Sequence, residues 1–147
     1  MGRIKQSQIT YWCHEIIRSQ AEAGGCYIDA TMGKGNDTLF LCELAGENGK
    51  VLAFDIQQEA LDATRELLRT HGKEQQAKLI LDGHEHMDRY AMEESTDVIC
   101  FNFGYFPGGD HKLATTYQTS IEAIGKGLGI LKHGGMTVSY THLTLPT

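Results

Sequence analysis

The sequence predicts an α/β domain in which helices cover both faces of a parallel sheet. Three observations lead there. Runs of strand length alternate strictly with segments of helical periodicity from Cys26 to Tyr140. Those runs are almost continuously apolar, as strands buried on both faces are. Asp29, Asp55, Asp82 and Asn102 each close one of them, and right-handed crossovers bring all four to one sheet edge, where open α/β sheets bind ligands.

Taken in order, Ile9, Trp12, Cys13, Ile16 and Ile17 recur at helical spacing, predicting an amphipathic helix over 6–22 that stops at Gly24-Gly25 and packs on the sheet. Trp12 is expected in its packed face or at a ligand-site edge. Residues 26–31 read as the first strand, 37–46 as a helix ending at Gly46, and 51–56 as the second strand after Asn48-Gly49. A helix over 58–71 follows, apolar at Ala60, Leu61, Leu67 and Leu68. Arg65, Arg69 and Lys73 lie on one side of it and read as a solvated face. Next come a strand over 78–82, a short helix over 85–92 and a strand over 97–102. Tyr117, Ile121, Ile124, Leu128 and Leu131 predict a helix over about 115–132 despite three glycines, and residues 136–140 form the fifth strand after Gly134-Gly135.

At 147 residues and 41% hydrophobic content the chain reads as one domain with room for a real core. A formal charge of −6 sets nineteen carboxylates against thirteen Lys and Arg, which disfavours tight nonspecific binding to nucleic acid while allowing a local basic face. Cys13, Cys26, Cys42 and Cys100 show no Cys-x-x-Cys spacing and read as buried thiols of a reducing cytosol. No apolar run approaches the ~18 residues of a membrane span, and no signal-peptide core is visible, so the expectation is a cytoplasmic protein without a membrane partner.

The most informative stretch runs from Tyr27 to Asp55. Gly33 and Gly35 permit a tight turn and close approach of a ligand, and the helix beginning near Asp37 offers unpaired N–H groups. Asp55 ends the next strand where a nucleoside ribose would lie, twenty residues beyond Gly35. A dinucleotide fingerprint calls for a third glycine, and Thr38 stands there instead. Asp29 and Asp37 flank the turn and would repel a pyrophosphate. S-adenosylmethionine has no phosphate and brings an ammonium, a sulfonium and a ribose diol, so acidic neighbours favour it over NAD. A plain strand-turn-helix corner with Asp37 as N-cap is the alternative reading.

Four motifs then come together: Asp-Ala-Thr-x-Gly-x-Gly-Asn-Asp-Thr from 29, Phe-Asp-Ile-Gln from 54, His-x-x-Met from 84 and Asn-Phe-Gly-Tyr-x-Pro-Gly-Gly-Asp-His from 102. Together they resemble the small bacterial "putative rRNA methylase" family of class I methyltransferases, from about residue 9 to 140. The resemblance implies a Rossmann-like sheet of order 3-2-1-4-5, binding of S-adenosylmethionine and methyl transfer to RNA. Similar proteins methylate the aminomethyl group of 5-aminomethyl-2-thiouridine at the tRNA wobble position. Matched motif by motif, it implies a donor site of Asp29, Gly33, Gly35, Asn36, Asp37, Thr38, Asp55, Ile56 and Gln57, with His84 and Glu85 beside the adenosine. Asn102 and the 105–111 loop would face the acceptor.

The acceptor chemistry also reads from the residues. In-line transfer needs an amine lone pair held at ~3–3.5 Å from the methyl carbon. The Asn102 carboxamide oxygen can accept an amine N–H and aim that lone pair, while Tyr105 can pack on the base. An alkylammonium must first lose a proton, and Asp110 and His111 are the candidate bases. Lys112 is the better phosphate candidate. His84, His86 and His111 lack metal-site spacing, so no metal is expected. An RNA methyltransferase, a methyltransferase of small amines or proteins, and a non-catalytic nucleotide-binding or dimerisation module stay open. Class I methyltransferases continue past the fifth strand with a helix and two more strands, and residues 139–147 depart from the family pattern. The expectation is a domain over 1–140 with a foreign tail over 141–147. Its open fifth strand would invite aggregation or a homodimer and leave stability low and turnover weak or absent.

Overall fold

In a computed structural model, residues 6–103 and 117–141 are described, with side chains from 8 to 103 and 118 to 140. The order along the chain is α1 (Gln6–Gln20), β1 (Cys26–Asp29), α2 (Asn36–Ala45), β2 (Lys50–Asp55), α3 (Gln58–Thr70), β3 (Ala77–Leu81), β4 (Thr96–Phe103), α4 (Tyr117–Ile130) and β5 (Leu131–Thr141). Short 3-10 turns occupy Glu74–Gln76 and His84–Arg89. All strand pairs are parallel, in the order β3-β2-β1-β4-β5. This is the architecture and order expected from the sequence.

The apolar strand runs divide residue by residue between two cores, because successive strand side chains point to opposite faces. Tyr27, Val51, Val98 and Cys100 meet Ile17 of α1, Leu41 of α2 and Leu68 of α3. Ile28, Phe54, Ile99 and Phe101 meet Met87, Ala123 and Ile130 on the other face. Gly127 lets α4 press onto β4, since a Cβ there would stand 3.2 Å from Ile99 Cδ1.

The differences from expectation have local causes. The first three strands end earlier, because a carboxylate at or just past each end draws the backbone out of the ladder. Asp29 Oδ1 accepts from Thr31 N (3.2 Å), Asp55 Oδ1 from Gln57 N (3.0 Å) and Asp82 Oδ1 from Gly83 N (2.8 Å). The expected helix over 85–92 is the 3-10 turn. There His86 Nδ1 (2.6 Å) and the Tyr90 hydroxyl (2.9 Å) both hold the Asp82 carboxylate. β5 begins at Leu131, directly after α4. Its register jumps from Thr96↔Leu131 to Val98↔Met136, so the Gly134-Gly135 break is an irregularity inside the strand, with Gly134 at φ +85°.

Two expectations are corrected. Cys26 is exposed at the first position of β1, whereas Cys13, Cys42 and Cys100 are buried, and burial pushes the Cys42 thiol up to about 12. Trp12 is 51% exposed, beside Tyr11 and Ile16, and so lies outside the packed face, because among the described side chains of α1 only Cys13 and Ile17 turn fully into the core. Its apolar stripe is wider than the surface it covers. On α3, Arg69 pairs with Glu66 (2.6 Å) and Arg65 with Asp62 (3.8 Å) in solvent, as a solvated face requires. Among the described residues no helix is long and apolar enough to cross a membrane.

Candidate functional site

The site is the loop from Ala30 to Gly35, where the chain leaves β1 for α2. It is stapled to both neighbouring strands: Ala30 N donates to Cys100 O (2.8 Å) and Met32 N to Phe54 O (2.9 Å). The loop closes with Gly35 N donating to Met32 O (2.8 Å). Asp29 lies beneath it, fully buried. Its Oδ2 accepts from the Thr38 hydroxyl at 2.6 Å, and its Oδ1 accepts from Thr31 N. Asp55 reaches in from β2, and its Oδ2 accepts from Gly33 N (3.1 Å).

The two glycines do different things. Gly33 has φ +51°, and among the described residues nothing lies within 4 Å of where a Cβ would stand. That is the open side of the loop. Gly35 has φ +94°, but its missing Cβ makes room for Thr64 of α3, whose Oγ1 would lie 2.9 Å away and whose Cα 3.0 Å. Close helix packing, rather than ligand approach, therefore excludes a side chain at Gly35.

Gly35 is also the residue before the first turn of α2, so Asp37 is not its N-cap. The Asp37 carboxylate turns toward α1 and β5, where His14 Nε2 lies 2.6 Å from Oδ1 and the Tyr140 hydroxyl donates to Oδ2. His14 stacks flat on Phe40, with ring centroids 3.9 Å apart, and fixes α1 against α2. Asn36 is exposed at the mouth of the loop and Ile56 is 42% exposed after β2, while Gln57 is buried. Sequence reasoning missed His14, Thr31 and Thr64 as builders of this site. His14 and Thr64 lie far from the loop in the chain, with no motif to link them to it.

Asn102 joins the same place from β4. Its backbone N–H donates to Thr31 Oγ1 at 2.8 Å. Its carboxamide oxygen is buried and has no hydrogen-bond partner among the described residues. His84, also buried, stands edge-on to Phe101 and Phe103 with Nδ1 likewise unpartnered among the described residues. Glu85 folds back over Gly83, and Asp82 is occupied by His86 and Tyr90. Tyr105, Asp110, His111 and Lys112 lie outside the described residues. Among those described, no group of three His, Cys, Asp or Glu is arranged to hold a metal.

Electrostatics sharpen the picture. Burial, then the neighbouring Asp37 charge, raises the Asp29 carboxyl well above its ordinary range, against the opposing hydrogen bonds from Thr38 and Thr31. Burial also raises Asp55, offset by backbone N–H groups of Gln57, Gly33 and Ile56. Burial lowers His84, favouring its neutral imidazole, against the pull of Glu85, the Ala30 carbonyl and Asp55. Burial makes the charged forms of Asp29 and Asp55 costly, and a positive charge placed beside them would favour those forms.

Residues 51–142, more than half of the chain, match the family model described as "Putative rRNA methylase". The chain belongs to this family. A crystal structure described as a "putative rRNA-methylase" from Clostridium thermocellum is similar at 39% identity and a TM-score of 0.83, over 92% of this chain and 72% of that one. A crystal structure described as a "putative methyltransferase" from Streptococcus mutans, in complex with SAH, is similar at 36% identity and a TM-score of 0.79, over 93% of this chain and 73% of that one. Among curated proteins, the chloroplastic tRNA (mnm(5)s(2)U34)-methyltransferase of Arabidopsis thaliana is 33% identical over 144 residues, which are 92% of this chain and 52% of that protein. The chain thus spans about half the length of that curated relative. The sheet order is that of the Rossmann-like class I methyltransferase fold, which this rRNA methylase family shares.

Two consequences can be measured. Gly33→Ala meets only the cost of a left-handed backbone, about 1–2 kcal/mol, whereas Gly35→Ala adds a steric clash and costs about 2–4 kcal/mol. Urea unfolding of the two variants should rank them in that order. Because the folded-state pKa of Asp29 is raised, its contribution to stability is full below the unfolded value and is lost as pH rises through the folded one. The native urea midpoint should therefore fall on going from acidic to neutral pH, and Asp29→Asn should flatten that fall. An unchanged slope would refute the assignment.

Proposed function

We propose that this chain carries the donor site and part of the acceptor site of an S-adenosylmethionine-dependent RNA methyltransferase. Its substrate on this reading is the aminomethyl nitrogen of a tRNA wobble 2-thiouridine. The observation that carries it is the buried carboxamide oxygen of Asn102, unpartnered among the described residues and tied through Thr31 to an acidic glycine loop. A buried acceptor without a donor is costly, and a substrate amine supplies the missing N–H.

The residues fit the donor. The open side of Gly33 gives it a place to lie, the exposed Ile56 an apolar surface for a purine, and the Asp55 carboxylate a hydrogen-bond acceptor for a ribose diol. Asp29, Thr38, Asn36, Asp37, Gly35, Gln57, His84 and Glu85 complete the proposed donor site, several of them by shaping it rather than touching the ligand. S-adenosylmethionine, when bound, supplies an electrophilic methyl group on a sulfonium. Support comes from the SAH complex of the Streptococcus mutans relative, and the tRNA reading is supported by the described activity of the Arabidopsis thaliana relative.

Asn102 would then accept one amine N–H and orient the nitrogen lone pair, so that its contribution is alignment. Tyr105 would cover the acceptor, and Asp110 or His111 would take the ammonium proton before transfer. The neutral His84 beside Phe101 and Phe103 keeps this side of the cleft free of a competing cation.

The test is calorimetric titration with SAH, using Asp55→Ala as control, followed by radiolabelled methyl transfer to tRNA from cells lacking the wobble methylation. Asn102→Ala should reduce transfer by about 100-fold or more while changing donor affinity by less than about threefold. A fully active variant refutes the role of Asn102. Transfer to small amines in place of tRNA refutes the RNA substrate.

A further inference from the structure

Gly33 is held on both sides. Its N–H, in the peptide from Met32, donates to Asp55 Oδ2 at 3.1 Å, and its C=O, in the peptide to Lys34, accepts from Thr64 Oγ1 at 3.3 Å. Thr64 sits in the middle of α3, fully buried, where an alanine or leucine would be the better helix former. A hydroxyl in so dry a place needs an acceptor, and the Gly33 carbonyl is that acceptor. The same side chain fills the space that a Cβ on Gly35 would need. One residue, twenty-nine or more positions away in sequence, thus bears on both glycines of the loop.

We infer that Thr64 is a positioning residue: it holds the Gly33 peptide in the orientation a bound donor meets, acting through the loop and without touching the donor. This rests on the donor reading above. Without the hydroxyl, a glycine with φ +51° and, among the described residues, open space on one side has other peptide orientations within reach. Donor binding must then select one of them, and affinity falls in proportion to the fraction lost.

Thr64→Val keeps the shape and removes the hydroxyl, whereas Thr64→Ser keeps the hydroxyl and removes a methyl group. Two readouts are used on the whole chain: calorimetric affinity for SAH, and hydrogen exchange of the Gly33 amide without ligand. Thr64→Val should weaken SAH binding about five- to tenfold and speed Gly33 exchange by a similar factor. Thr64→Ser should bring both back to within about twofold of the native chain. Native-like binding and exchange in Thr64→Val would overturn the inference, as would a Thr64→Ser variant no better than Thr64→Val, which would assign the effect to packing. If the native chain fails to bind SAH, the donor reading falls, and Gly33 exchange still decides whether Thr64 holds the loop.

Discussion

A carboxyl group buried with no cation beside it among the described residues underlies this structure. Asp29 has no exposed surface, and its neighbours across the loop are Asp37 and Asp55. Such a group is tolerable only with its oxygens taken, and the Thr31 N–H and Thr38 hydroxyl take them. Meeting that demand bends the chain out of β1 and sets the first turn of α2 over the strand end. The loop, the helix start and the edge of the cleft all follow from it.

The same device recurs along the sheet. Asp55 and Asp82 accept N–H groups as their strands release the backbone, so each carboxylate shapes its own turn before any ligand is considered. The residues differ in what is left over. Asp82 is spent on His86 and Tyr90, and those hydrogen bonds outweigh burial to hold its carboxyl below the ordinary range. Asp55 keeps accepting capacity at the open side of Gly33, since each carboxylate oxygen has two lone pairs. A row of acids at one edge therefore contains members spent on their neighbours and members with accepting capacity left, and hydrogen-bond partners separate them.

Most of the fold was legible in the chain. The continuous apolar run from Val98 to Phe101 announced a strand buried on both faces, and it feeds two cores. The glycine loop after β1 was legible because glycines and acids lie close together in sequence. What was not legible lay at a distance. Trp12 belongs to a helical stripe, yet a stripe says nothing about how much of it the sheet will cover. Asp37 looked like a cap or a donor contact, and its partners prove to be His14 and Tyr140, brought to it by α1 and β5.

By itself the sequence determined the alternation of elements, the carboxylates at the strand ends and the membership of the rRNA methylase family, since periodicity, turn residues and motifs are all local. Only the tertiary structure decided which glycine has open space beside it and which faces Thr64, which acid is spent on its neighbours, and that the buried oxygen of Asn102 has no partner among the described residues. The physical reason is that burial and hydrogen-bond satisfaction depend on groups from several elements meeting at one point, and spacing along a chain does not encode that meeting.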